Sequence, residues 1–263
     1  MKIVLLTSDS LRHKFIAAEI SKQLDLKLIV IEAKSAKIQD TSELNKEDSE
    51  FISAHFEARN KSETLFFGDY KEFSEEIPQL RIPHGNINSC EVNNAIDKIT
   101  PNLIVLFGTS IIKESLLGNY SGKIINLHLG LSPYYKGSAT NLFPYYYSEP
   151  ECVGATIHLA TANVDQGSIL HQLRPDIEVN DELHSIGNKC ILKAGNMLPG
   201  ILKAFSKGKI LPKSQTSTGR ICMNKELTPA FLRTIYNSFE KGMIKEYLQN
   251  KKFRDEEKPI VER

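Results

Sequence analysis

The chain has 263 residues, 41% of them hydrophobic and 25% charged, which supplies enough apolar material for a folded core and excludes a wholly disordered protein. The net charge of +1 gives no general reason to expect a nucleic acid or an anionic membrane surface as a partner. No stretch approaches the roughly 20 apolar residues that span a bilayer, so we expect a soluble, cytoplasmic protein. The 4 cysteines form no Cys-x-x-Cys pair, so neither a zinc site nor a disulfide framework is expected.

The N-terminal segment alternates between apolar runs and a helical pattern. KIVLLT and LKLIVIEA are continuous apolar runs, and between them lies SDSLRHKFIAAEISKQL, where Ser8 or Ser10 can cap a helix. Two strands that are buried on both faces and joined by a helix are typical of a βαβ unit in a parallel sheet. Residues 34–78 then turn polar before the helical spacing of FISAHFEARNKSETLFF, and we interpret this segment as an insertion or lid on the sheet.

The same alternation returns in the middle of the chain. VNNAIDKI has helical spacing, NLIVLFG predicts a buried strand that ends at Gly108, and GKIINLH predicts another strand. The fold class predicted from these elements is α/β, with an open, mostly parallel sheet flanked by helices.

The second half predicts a different set of elements. SATNLFPYYYSEP favours a short helix and turn, CVGATIHLATANVDQGSILHQ favours two extended pieces joined by a turn, and a long helical pattern starts at Asp181. From residue 207 onward, GKILPKSQTSTGRICMN suggests a hairpin, and ELTPAFLRTIYNSFEKGMIKEYL suggests a helix. We therefore predict a core over residues 1–206 and a short C-terminal extension over 207–263 that packs on it, since about 55 residues are few for an independent domain.

Asn126 and His128 stand where the strand GKIINLH ends. In open α/β sheets, ligands bind outside the carboxyl ends of the strands, and side chains two positions apart point to the same side. An amide and an imidazole placed in this way could act on one substrate atom. The spacing alone leaves a second interpretation open, in which Asn126 caps a turn and His128 is a hydrogen-bonded polar group at the sheet edge.

Further polar and glycine-containing motifs follow this pair at fixed spacing. Between about residue 95 and 172 the chain carries, in order, Asn126-Leu-His128, Ser132-Pro133 with Gly137, Gly154-Ala-Thr156-Ile-His158, and Asp165-Gln-Gly167. This series resembles the folate-dependent formyltransferase family, whose signature is Asn-x-His, a Ser-x-Leu-Pro-x-x-x-Gly loop, Gly-x-Thr-x-His and Asp-x-Gly. Two positions depart from the family pattern, since Gly130 stands where the family usually has Ser, and Ser132 stands where it has Leu.

The resemblance implies a Rossmann-like body and transfer of a formyl group from N10-formyltetrahydrofolate to an amine. It also implies a catalytic triad of Asn126, His128 and Asp165. Attack of an amine on a formyl carbon creates an anionic oxygen, which an amide N–H of Asn126 and the His128 ring can stabilise. His128 can take the amine proton while Asp165 orients the ring, and this mechanism needs no metal. Taken alone, Asp165 could equally make an Asx turn.

The resemblance further implies sites for the donor and the acceptor. The pterin of the donor is expected on the segment after the fourth strand and on the stretch before Asp165, with the residues Phe107, Gly108, Thr109, Ser110, Ile111, Ile112 and Asp165. On the acceptor side, rings could stack on a base or sugar and cations could meet phosphate, which indicates Tyr134, Tyr135, Lys136, Gly137, Arg220 and Lys225. The alternatives left open are a core edge for the donor segment and, for the acceptor residues, packing tyrosines and solvated cations.

Features that the sequence lacks narrow the expected acceptor. TSDSLRH follows the first strand in place of a Gly-rich loop that would cradle a ribose phosphate, which disfavours glycinamide ribonucleotide. A methionyl-tRNA formyltransferase would add a larger C-terminal domain and a basic surface. Among family members, the sugar N-formyltransferases resemble the chain most. They imply a nucleotide-linked amino sugar as acceptor, no nucleic acid or membrane partner, a formamido sugar for surface polysaccharide such as the O-antigen of lipopolysaccharide, and a homodimer.

Other functions stay open as alternatives. They are a methionyl-tRNA formyltransferase or another amine formyltransferase, a formyltetrahydrofolate hydrolase, and a catalytically silent protein of the same fold that binds a nucleotide or folate. Retention of all three triad residues argues against the silent protein, and a hydrolase would usually carry an N-terminal regulatory domain. An NAD-dependent oxidoreductase would need Gly-x-Gly-x-x-Gly after the first strand, where the sequence has none.

Overall fold

The computed structural model of the protein describes residues 1–35, 40–215 and 219–263. Its strands are β1 (Lys2–Thr7), β2 (Asp25–Glu32), β3 (Gln79–Ile82), β4 (Leu103–Leu106), β5 (Ile124–His128), β6 (Tyr135–Gly137), β7 (Ala155–Leu159), β8 (Ile169–Leu173) and β9 (Arg220–Cys222). Its helices are α1 (Leu11–Gln23), α2 (Lys46–Phe67), α3 (Cys90–Ile99), α4 (Glu114–Leu117), α5 (Phe143–Tyr146), α6 (Leu183–Ser206), α7 (Pro229–Glu240), α8 (Met243–Gln249) and α9 (Lys251–Glu257). Short 3-10 helices cover Pro150–Cys152 and Asn224–Glu226.

Seven strands form one sheet in the order β3-β2-β1-β4-β5-β7-β8. The strands from β3 to β5 pair in parallel, and β7 and β8 extend the sheet in antiparallel pairing. The predicted α/β fold with an open, mostly parallel sheet is therefore confirmed. Because β1, β2, β4 and β5 run in the same direction, their carboxyl ends meet at one edge of the sheet.

Both faces of the sheet are buried, which explains the continuous apolar runs in the sequence. In β1, Ile3 and Leu5 join the core beneath α1 and α6, whereas Val4 and Leu6 join the core beneath α3. Alternate residues of one strand thus contact opposite faces, so the central positions of β1 are all apolar.

The segment over residues 34–78 contributes α2, which packs against α1 and α6. Phe67 at the end of α2 is fully buried, and its ring stacks on Phe15 of α1 with 4.9 Å between the ring centroids. The helix predicted in this segment is therefore present and belongs to the layer on one face of the sheet. Part of the polar stretch before it, residues 36–39, lies outside the described residues.

The C-terminal segment does not form the predicted hairpin in its described part. Instead, β9 pairs in parallel with β6, and Lys213 forms an antiparallel bridge with Ile169 of β8. Gly219, which suggested a turn, marks a close approach of two backbones, since it has φ of 128° and a Cβ there would lie 1.7 Å from the carbonyl oxygen of Pro133. The hairpin prediction was wrong because both flanking pieces find partners on the rest of the protein.

The predicted C-terminal helical region comprises α7, α8 and α9. Leu232, Ile235 and Ile244 pack in one apolar cluster with side chains of α2, α5 and the start of α6. The division into a core and an extension at residue 207 stays a prediction. None of the described helices combines the length and the apolar character needed to cross a membrane.

Helices α1 and α6 approach closely at Gly195, and we expect Gly195→Ala to destabilise the fold. The added Cβ would lie 2.4 Å from Cε1 of Phe15, whose ring is already wedged against Phe67 and Tyr70. Urea denaturation should show a free energy of unfolding lower by about 1–3 kcal/mol, the usual cost of overpacking.

The matched control is Gly187→Ala on the same helix, where no atom lies within 4 Å of the added Cβ. It should raise the free energy of unfolding by about 0.5–1 kcal/mol through helix propensity. Equal effects of the two substitutions would contradict the close packing at Gly195.

Candidate active site

Three polar side chains converge at the carboxyl end of β5. Asn126 and His128 project from β5 to the same side, and Asp165 reaches them from the loop between β7 and β8. The Asn126 Nδ2 lies 3.2 Å from Asp165 Oδ1, and the His128 Nδ1 lies 3.3 Å from Asp165 Oδ2. The structure therefore brings together the three residues that the motifs indicate.

Asp165 is held from several directions. Its backbone is left-handed, with φ of 54°, and the Gln215 side chain donates to its carbonyl oxygen at 3.1 Å. The backbone N–H of Gly137 donates to Oδ2 at 2.8 Å. Burial raises the pKa of Asp165, but its interactions with the His128 ring, the His158 ring and the Gly137 N–H outweigh burial and hold the pKa below its usual value. The buried carboxyl group is therefore ionised.

The surroundings of His128 accept hydrogen bonds at both ring nitrogens. Nδ1 faces Asp165, and Nε2 lies 3.3 Å from the carbonyl oxygen of Tyr135 and 3.3 Å from Thr140 Oγ1. The Thr140 hydroxyl donates its own hydrogen to the carbonyl of Leu129, so it faces the ring as an acceptor. Burial lowers the pKa of His128, and Asp165 only partly opposes this. The ring is neutral at pH 7. If it gains a second proton, both of its N–H groups face a hydrogen-bond acceptor.

His158 fixes the orientation of the Asn126 amide. The His158 Nδ1 lies 2.8 Å from the carbonyl oxygen of Leu159 and must donate to it, so in the neutral ring Nε2 is an acceptor. The Asn126 Nδ2 lies 3.1 Å from that Nε2, and its second hydrogen points to Asp165. The sequence contained a signal for His158, which ends the Gly154-Ala-Thr156-Ile-His158 motif, and the structure makes it the register partner of Asn126 across β5 and β7.

Thr156 shapes the loop after β5, residues 129–140. Its hydroxyl donates to the carbonyl of Gly130 at 2.7 Å and accepts from the backbone N–H of Ser132 at 3.0 Å. A Cβ at Gly130 would lie 2.6 Å from both His128 Nε2 and Thr140 Oγ1. Gly130, where the family usually has Ser, therefore leaves the space in which His128 packs against Thr140.

The predicted donor segment follows β4 and is held from behind by a buried carboxylate. Glu32, 2% exposed, accepts from the Ser110 backbone N–H at 2.7 Å, from the Ser110 hydroxyl at 2.9 Å and from the Gly85 N–H at 2.8 Å. The Asn88 side chain donates to the carbonyl of Ile111 at 2.9 Å, while the Ile111 side chain is 65% exposed. An anchored backbone thus presents an apolar side chain outward.

The other predicted donor residues differ in exposure. Phe107 is buried, and its ring lies 5.0 Å from that of His13, so it belongs to the core and not to a binding surface. Ile112 is also buried, whereas Thr109 and Ser110 are partly exposed. Gly108 has φ of 77°, and a Cβ there would meet His13 at 2.6 Å.

The predicted acceptor residues need a correction. The Tyr135 ring is 1% exposed and its hydroxyl donates to Glu149, so it cannot stack on a ligand; its carbonyl faces His128 instead. Lys136 is also buried and is not a solvated cation. Tyr134 is partly exposed, with its hydroxyl donating to the carbonyl of Pro259 at 2.8 Å. Burial of Tyr135 follows from the apolar environment of β6, which the short YYKG pattern did not reveal.

The remaining predicted acceptor positions lie on β6 and in the C-terminal segment. Gly137 has φ of 100° and donates its N–H to the Asp165 carboxylate. The Arg220 guanidinium lies over the Tyr147 ring at 3.9 Å, and Lys225 is exposed. Within residues 1–35, 40–215 and 219–263, no group of three or more His, Cys, Asp or Glu side chains could hold a metal ion.

The sequence over residues 1–202 matches the family model described as formyl transferase. The chain belongs to the formyl transferase family. This family assignment covers the whole seven-stranded sheet and all three convergent side chains.

Curated relatives are similar over part of the chain. The methionyl-tRNA formyltransferase of Finegoldia magna is 26% identical over 170 residues, covering 59% of this chain and 52% of that protein. The phosphoribosylglycinamide formyltransferase of Haemophilus influenzae is 28% identical over 141 residues, covering 51% of this chain and 66% of that protein. The chain thus spans less than two thirds of the length of either relative.

Solved structures of the family share the fold. A phosphoribosylglycinamide formyltransferase of Anaplasma phagocytophilum has a TM-score of 0.57 at 16% identity, covering 84% of this chain and 96% of that chain. A sugar N-formyltransferase of a Shewanella species has a TM-score of 0.55 at 18% identity, covering 84% of this chain and 76% of that chain.

The electrostatics of His128 can be tested by NMR titration of the histidine ring. The pKa should lie below 6.5, because burial disfavours the imidazolium. In Asp165→Asn the pKa should fall further, because the substitution removes the charge that favours the protonated ring. The signal of the exposed His84 should be unchanged by the substitution, and a rise in the His128 pKa would contradict the geometry.

Proposed function

We propose that the protein transfers a formyl group from N10-formyltetrahydrofolate to the primary amine of a nucleotide-linked amino sugar. The observation that carries the proposal is the convergence of Asn126, His128 and Asp165 on a chain of the formyl transferase family. The alternative of a turn cap and a sheet-edge polar group does not account for a buried carboxylate that contacts both side chains.

The reaction requires one new bond, one broken bond and one proton relay. The acceptor nitrogen bonds to the formyl carbon, and the bond from that carbon to N10 of the donor breaks. The acceptor nitrogen loses a proton, and N10 gains one. His128 suits this relay because it is neutral and because both ring nitrogens face acceptors that stabilise the protonated ring. Asp165 keeps its charge throughout.

Asn126 supplies the hydrogen bond to the formyl oxygen. Both of its N–H groups are directed inside the site, toward His158 and Asp165. An oxygen that gains negative charge is a stronger acceptor than a neutral imidazole nitrogen, so it competes best for the shared N–H in the transition state. The amide therefore favours the transition state over the ground state.

Residues beside the triad suit the pterin of the donor. Ile111 and Val164 are large apolar side chains that are 65% and 43% exposed, and Val164 directly precedes the catalytic aspartate. Exposed apolar groups beside an anchored backbone fit a flat heteroaromatic ring that also needs backbone hydrogen bonds. We place the donor against Gly108, Thr109, Ser110 and Ile111, without Phe107.

The acceptor class is supported by the loop between β1 and α1. In TSDSLRH, the Ser10 N–H already donates to His13 Nδ1 at 3.1 Å, and the loop lacks the glycines of a phosphate cradle. This disfavours glycinamide ribonucleotide and favours an acceptor whose phosphates are bound by side chains. The product would be a formamido sugar, made in the cytoplasm for a surface polysaccharide such as an O-antigen.

The experiment is mass spectrometry of reactions with N10-formyltetrahydrofolate and a panel of nucleotide-linked 3-amino and 4-amino deoxysugars. Glycinamide ribonucleotide and methionyl-tRNA are included as alternative acceptors. Gain of one formyl group by a sugar would support the proposal. Formylation of another acceptor, or release of formate alone, would replace it with one of the alternative functions.

We expect His128→Ala to lower kcat by about 10²–10⁴-fold, the usual contribution of general acid–base catalysis. Binding of the donor, followed by fluorescence quenching, should stay near wild type because the ring acts on the proton. The matched control is His84→Ala, which removes an exposed histidine and should leave kcat unchanged. Unchanged turnover in His128→Ala would remove His128 from the mechanism.

We expect Glu32→Gln to raise KM for the donor roughly tenfold while KM for the acceptor stays constant. Three donor groups face this carboxylate, and an amide can accept through one oxygen only, so the loop after β4 loses part of its anchor. The exposed Glu76→Gln serves as control. Equal increases in both KM values would instead indicate general loosening of the sheet edge.

A further inference from the structure

Arg59 on α2 is a partly buried cation. Among the described residues, its guanidinium makes no hydrogen bond and no ion pair, although it carries five N–H donors. An unpaired guanidinium taken out of bulk water costs stability, so such a position needs a reason other than folding.

The nearest carboxylate on the Arg59 face of α2, that of Glu63, already has another partner. Glu63 lies one turn after Arg59 on the same face of α2, where it pairs with the Arg12 guanidinium and accepts the Arg12 backbone N–H at 3.0 Å. Arg12 lies in the first turn of α1, and its pairing with Glu63 brings its charge toward that of Arg59. One carboxylate therefore stands between two arginines.

The other groups around Arg59 add no negative charge. His55 on α2 and His184 on α6 share hydrogen bonds with the Tyr236 hydroxyl at 3.0 and 3.3 Å. Burial and the neighbouring Arg59 lower the pKa of His55 to about 4, so it is neutral. Burial, and then the charge of Arg12, lower the pKa of Arg59 itself to about 10. In the part of the chain that the structure describes, the positive charges of Arg59 and Arg12 thus share the single carboxylate of Glu63.

Lys34 links this positive region to the loop after β4. Its ammonium donates to the carbonyl of Gly108. Burial, and then the charges of Arg12 and Arg59, lower the pKa of Lys34 to about 8. The charge of Glu32 raises the pKa of Lys34, but the Glu32 carboxylate already accepts hydrogen bonds from Ser110 and Gly85.

The position of the cluster relative to the triad follows from the strand order. Arg12 lies in the first turn of α1, the helix that follows β1, and β1 is separated from β5 only by β4. At the usual strand spacing, the ends of β1 and β5 are roughly 10 Å apart, about the reach of an amino sugar joined to a diphosphate.

We propose that Arg59, Arg12 and Lys34 form an anion site that binds the diphosphate of the acceptor. This inference rests on the proposed function, and it names the chemical group by which the acceptor is held. Guanidinium groups match phosphate oxygens with two parallel hydrogen bonds, and Lys34 adds a point charge. Arg220 is the rival position, but its guanidinium is already stacked on Tyr147.

The test uses inorganic pyrophosphate as the probe, with binding followed by calorimetry and thermal unfolding. Wild-type protein should bind it, and Arg59→Gln should bind at least roughly tenfold more weakly. The control Lys61→Gln removes an exposed cation two residues away and should bind like wild type. Without ligand, Arg59→Gln should keep or raise Tm, because the substitution removes an unpaired charge; a structural arginine would lower it.

Lys34→Gln is the second variant, because this exposed side chain can be replaced without loss of packing. It should also weaken pyrophosphate binding, whether or not Arg59→Gln folds. No binding by wild type, unchanged binding in both variants, or loss of binding in Arg220→Gln alone would overturn the site.

Kinetics separates this inference from the proposed function. Arg59→Gln should raise KM for the nucleotide-linked sugar at least roughly tenfold, with kcat and the donor KM unchanged. If wild type formylates no sugar, the proposed function fails, and the pyrophosphate measurement still decides the anion site. If wild type formylates a sugar and Arg59→Gln has the same KM, only the anion site fails.

Discussion

The Asp165 carboxylate is the point at which three separate segments of the chain meet. It contacts Asn126 and His128 at the end of β5, accepts the N–H of Gly137 on β6, and lies in the loop between β7 and β8. Burial alone would make both the acid and the imidazole neutral. The neighbouring donors reverse this for the acid but not for the base, which leaves a charged carboxylate beside a neutral ring. That combination allows the ring to take up a proton without creating an unpaired buried charge.

Sequence patterns predicted the parts of the fold that depend on local or repeated physical rules. Continuous apolar runs identified β1, β2, β4 and β5, because strands covered on both faces are apolar at most positions. The motif spacing singled out Asn126, His128 and Asp165, and the structure brings these three side chains together. Both the apolar runs and the motifs are local features, each contained in a few consecutive residues of the sequence.

The failures involve contacts between segments far apart in sequence. A hairpin was expected after residue 207 because glycine usually marks a turn, but Gly219 lets the backbone approach Pro133. Tyr135 was expected to face a ligand, yet its ring fills an apolar cluster. Thr140 and Glu32 act through hydrogen bonds to residues 12 and 78 positions away, which no local pattern records.

The parallel pairing of β6 with β9 has a consequence for protein engineering. The loop after β5 is hydrogen-bonded on one side to the C-terminal segment, and the Gln215 side chain of that segment also donates to the carbonyls of Asp165 and Gly167. The wall of the active site is thus assembled from two parts of the chain that are far apart in sequence. A chimera that exchanged only the sheet with a relative would separate these two parts, so the loop and its C-terminal strand have to be transplanted as a pair.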